Sequence, residues 1–131
     1  MAYTLPHTPT VDQISAETRA KSFTTRSIKR ESKRAVLKLI TSMIDLTTLE
    51  GMDTPGKVRN LCQKGMHPLV AGSDLPSVAA ICVYPSMVAT AAAELAGTDI
   101  HVASVATAFP SGQSSLAVRL ADVKTAGRWR R

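Results

Sequence analysis

The 131 residues allow one domain or part of a larger one, and 44% hydrophobic with 20% charged side chains exclude wholesale disorder. No apolar run approaches the roughly 18 residues of a membrane span, and MAYTLPHTPTVDQ has neither the basic nor the apolar block of a secretory signal. The net charge of +6 gathers at the ends: residues 1–39 hold eight basic against three acidic side chains and residues 128–131 hold three arginines, with five against seven between.

In chain order, residues 1–21 are polar and carry Pro and Thr, which predicts a poorly ordered lead-in. Residues 22–41 form a basic extension, in which IKRESKRAVLKLIT predicts an amphipathic helix with Glu31 facing Arg34 or Lys38. Ser42 to Leu49 is a short β-branched and apolar run interrupted by a carboxylate, so a strand is expected there. Gly51 then marks a turn, Asp53 or Thr54 can cap, and Pro55 suits a first helical turn. A helix over 55–66 follows, burying Val58, Leu61 and Cys62, with Gly65 as its stop.

Residues 78–84, VAAICVY, are apolar without alternation, the pattern of a strand covered on both faces. Pro85 ends it, and SMVATAAAELA predicts an Ala-rich helix closed by Gly97. Residues 100–107 repeat the strand character, FPSG breaks it, and Ser114 or Ser115 can cap a last helix over 115–126. Strand, turn and helix three times over is the pattern of parallel βα units. Three units close no barrel and leave both sheet edges unpaired, so residues 42–126 resemble the front end of something larger. Gly127-Arg128-Trp129-Arg130-Arg131 forms a separate basic tail.

Reactive groups of such units sit at the C-terminal ends of strands. Asp45 lies inside an apolar strand, where it acts either as an acid/base group or as a structural anchor; the residues leave both open. Cys82 reads more readily as a small buried hydrophobe than as a nucleophile, because no His spacing supports a catalytic thiol. The turn between Thr107 and Ser115 could receive an anion, although ordinary capping explains it as well. His7, His67 and His101 are far apart, so no metal site is expected; Met43, Met52, Met66 and Met87 are taken as core or rim filler. Two cysteines are too few for a disulfide framework, which suits a cytoplasmic setting. Only 4% of residues are aromatic, too few for a base-stacking platform, so nucleic acid is the weakest partner and the charged ends are taken as solvated.

The segments MIDLTTLEGMDTPGKVRNLCQK, AAICVYPSMV and VASVATAFPSGQ together resemble deoxyribose-phosphate aldolase, and SFTTRSIKRESKRAVL resembles the N-terminal extension of one version of it. The resemblance implies the first three βα units of a (β/α)8 TIM barrel, preceded by a helical extension. It also implies a class I aldolase, cleaving 2-deoxy-D-ribose 5-phosphate to acetaldehyde and D-glyceraldehyde 3-phosphate. Its lysine Schiff base needs neither metal nor other cofactor. In that family Asp45 matches the first-strand aspartate near the catalytic lysines, as acid/base or lysine orienter. Thr47 and Leu49 match substrate-pocket positions, and Cys82 matches a pocket cysteine open to attack by aldehyde products. Ala108 stands where the family tends to have Gly.

The family's fourth-strand aspartate, Schiff-base lysine and late phosphate-binding loops all fall beyond residue 131, so an N-terminal portion that is inactive alone is expected. No lysine present substitutes, because Lys57, Lys64 and Lys124 fall on polar helix surfaces. The competing reading is a non-catalytic interaction or oligomerisation module that uses the open sheet edge and the basic N-terminus.

Overall fold

A computed structural model describes residues 9–69 and 73–127. The chain divides into two units, one reaching Lys33 and one beginning at Arg34. The first unit contains α1 (Gln13–Thr24), which replaces part of the expected lead-in. Local contacts account for it. The Asp12 carboxylate accepts the Ser15 backbone N–H at 3.0 Å and the Ser15 hydroxyl at 2.7 Å, and Gln13 reaches Glu17 one turn on. No α1 residue is buried, so its few apolar side chains make no packed stripe. Helix α2 (Arg30–Thr41) begins two residues later than its sequence pattern, which opens at Ile28. Val36, Leu37, Leu39 and Ile40 are all exposed on it.

The second unit is a three-stranded parallel sheet in the order β1-β2-β3, built from Asp45–Thr47, Ala80–Val83 and His101–Ser104. The strands are shorter than the apolar runs that hold them, because only these residues find ladder partners. Helices α3 (Pro55–Met66), α4 (Val88–Glu94) and α5 (Leu116–Gly127) follow the three strands in turn, with a short 3₁₀ turn over Pro85–Met87 leading into α4. The basic tail beyond Gly127 lies outside the described residues, as do residues 1–8 with His7.

Register decides which side of the sheet is core. Leu46 pairs with Ile81, Ile81 with Val102, and Val83 with Ser104. Side chains alternate along a strand, so these residues share one face. On it Ile81 and Val83 are fully buried with Val58 and Cys62 of α3 and with Val88 and Ala91 of α4. Burying each large aliphatic here contributes about 1.5–3 kcal/mol. Gly65 lies inside α3 rather than at its stop. A Cβ there would stand 2.7 Å from Ile81 Cδ1 and 3.0 Å from Val78 Cγ2, so the missing side chain is what lets α3 lie against β2. Gly97, with φ +82°, does turn the chain after α4 as expected. Met66 and Met87 pack on the core, whereas Met43 and Met52 are exposed and fill nothing.

Candidate functional site

The opposite face follows from the same register. Thr47 pairs with Cys82 and Cys82 with Ala103, while Asp45 pairs with Ala80 and Ala80 with His101. Asp45, Thr47, Ala80, Cys82, His101 and Ala103 therefore share the side away from α3 and α4. The sequence singles out Asp45, Thr47 and Cys82 separately, and the structure brings them together across one strand pair.

Asp45 is exposed at the start of β1, so the burial cost expected of a carboxylate inside an apolar strand does not arise. Cys82 is 8% exposed and stands outside the helix-side core. Burial pushes its thiol up, the Asp45 charge pushes further, and the Thr47 hydroxyl partly opposes both. Cys82 is thus held as a thiol and is a weak nucleophile. Burial likewise raises Cys62, with the Glu94 charge adding to it. Leu49 lies just past the end of β1 and is half-buried.

The turn after β1 contains a polar cluster around Asp53, which the sequence offered only as a possible helix cap. The Asp53 side chain is only 4% exposed. It accepts the Thr48 hydroxyl at 2.8 Å, the Glu50 backbone N–H at 2.9 Å and the Lys57 ammonium at 2.8 Å. Lys57 lowers the Asp53 carboxyl most, with the Glu50 amide and the Thr48 hydroxyl helping, while Asp53 and Glu50 raise the Lys57 ammonium. The cap of α3 is Thr54, whose hydroxyl accepts the Lys57 backbone N–H at 3.2 Å. The one available signal for this cluster was the i,i+4 pairing of Asp53 with Lys57.

The turn after β3 is backbone-strained: Thr107 has φ +64° and Ala108 φ +60°. The Ala108 N–H donates to the Asp122 carboxylate of α5 at 3.2 Å. At the start of α5, Ser115 accepts the Val118 N–H at a long 3.5 Å, while Ser114 Oγ is buried without a partner. A groove of about 1530 Å³ between α4, β3 and α5 is lined by Ala92, Leu95, Ile100 and Val123 among others. Asp45, Thr47, Leu49 and Cys82 are not among its walls.

Lysine chemistry demands an amine that is easily deprotonated. Lys57 is raised instead, by its two carboxylates, and Lys64 and Lys124 are exposed on α3 and α5. Among the described residues, no lysine stands on the face of Asp45 and Cys82. No group of three His, Cys, Asp or Glu there could hold a metal ion, and no helix is long and apolar enough to cross a membrane.

No family model matches the chain. It is 43% identical over 113 residues to deoxyribose-phosphate aldolase of Mus musculus and 40% identical over 111 residues to that of Homo sapiens, in each case over 77% of this chain and 35% of the relative. A crystal structure from Coccidioides immitis that carries the same family name matches at 27% identity with a TM-score of 0.56, over 68% of this chain and 32% of that one. The chain is therefore a partial match to deoxyribose-phosphate aldolases, spanning about a third of the length of the curated relatives it matches.

Proposed function

We propose that this chain forms the first three βα units of a (β/α)8 aldolase barrel that cleaves 2-deoxyribose 5-phosphate through a lysine imine. The observation that carries the reading is the shared face of Asp45, Thr47 and Cys82, on the side a closed barrel would turn inward. In that reading Asp45 orients the reacting lysine or moves a proton, and Thr47 and Leu49 bound the sugar chain. Cys82, neutral as a thiol, forms a wall next to them. The imine-forming lysine belongs to a later strand, so the 131-residue chain by itself makes no imine. A cytosolic setting suits its two free thiols.

The test is borohydride reduction of the 131-residue chain in the presence of 2-deoxyribose 5-phosphate, read by mass spectrometry. The chain should stay unmodified. A stoichiometric adduct on Lys57 or any other lysine would overturn the assignment.

A second reading, an interaction or self-association module, draws on the sheet edges at β1 and β3 and on Leu116, Val118 and Leu120, all more than half exposed on α5. Light scattering after size exclusion separates the two. A discrete folded oligomer favours the module, and a monomer or a heterogeneous aggregate favours the partial barrel.

A further inference from the structure

We propose that Asp53 is a positioning residue, which fixes the turn after β1 and so keeps β1 seated against Cys82. Its meaning for catalysis rests on the reading of Thr47 and Leu49 as pocket residues; its structural role does not. The three donors that its carboxylate collects come from three different places: Thr48 at the end of the strand, Glu50 in the turn, and Lys57 in the first turn of α3. One buried side chain thus ties strand, turn and helix together. Helix capping does not explain it, since Thr54 already caps α3.

What hangs on this tie is an edge strand of three residues, paired among the described residues with β2 alone. The pairing ends where the Thr48 N–H donates to the Cys82 carbonyl at 3.0 Å. Thr48 is therefore held twice, by its amide to β2 and by its hydroxyl to Asp53. Removing the second hold loosens the first, and Thr47, directly opposite Cys82, moves with it. The predicted event is a local opening of β1, with the helix-side core undisturbed.

The two cysteines report this separately, because Cys82 lies against β1 while Cys62 is fully buried between α3 and the other face of the sheet. The experiment measures iodoacetamide labelling rates of both thiols in the full 131-residue chain, resolved by peptide mass mapping. Asp53→Ala should speed Cys82 by about tenfold and leave Cys62 within about twofold of the parent. Thr48→Val, which replaces the hydroxyl with a methyl of similar size, should act in the same direction more weakly. If Asp53→Ala unfolds the chain and both thiols accelerate, Thr48→Val decides: selective labelling of Cys82 supports the proposal, and its absence overturns it. An unchanged Cys82 rate in Asp53→Ala overturns it directly. None of these outcomes depends on the proposed aldolase reading, whose failure would appear as a lysine adduct on borohydride reduction instead.

Discussion

Ala108 holds φ +60°, a conformation costing an L-residue about 1–2 kcal/mol and glycine almost nothing. Glycine would hold the same backbone angle without that cost. Ala108→Gly should stabilise the chain by about 0.5–1 kcal/mol once the greater freedom of unfolded glycine is subtracted, as urea melts would measure. Gly65 presents the converse case. Gly65→Val would drive two methyls toward Ile81 and Val78, and a loss of about 2 kcal/mol is expected in the same assay. Asp53 sets a pH dependence. Its carboxyl is lowered in the folded chain, so its contribution is present above the ordinary carboxylate range and is lost as the pH falls through the folded value. Stability should therefore fall on acidification from about pH 5, and Asp53→Asn should flatten that fall. An equal slope in both proteins would remove Asp53 as a source.

Among the elements, the start and buried side of α3 were legible from Thr54, Pro55 and the spacing of Val58 and Cys62, whereas Leu61 is only half-buried and Gly65 lies inside the helix rather than ending it. Thr54→Ala should cost about 1 kcal/mol in thermal or urea unfolding, the usual price of an N-cap oxygen. Strands β2 and β3 were legible as apolar runs, although the runs overstate their length. Helix α1 was not, because its support is a cap and a few local side-chain bonds rather than a hydrophobic stripe. The shared face of Asp45, Thr47 and Cys82 was hidden for another reason. An uninterrupted apolar run shows no alternation, and only the ladder register says which residues look which way. The role of Asp53 was hidden because its partners converge only once strand, turn and helix are folded together.

In the body of the molecule, the core occupies one side of the sheet, while the polar trio of Asp45, Thr47 and His101 lies on the other and is exposed. That asymmetry is what the proposed barrel reading requires, since helices cover the outward side of a parallel barrel and its other strands enclose the inward side. The most direct measurement is the retro-aldol activity of a chimera, in which residues 42–126 replace the matching segment of the mouse deoxyribose-phosphate aldolase. The account predicts that the chimera cleaves 2-deoxyribose 5-phosphate, and that Asp45→Asn within it lowers kcat on the order of 10²-fold with melting unchanged. A chimera that folds like its parent yet cleaves nothing, or one indifferent to Asp45→Asn, would contradict it.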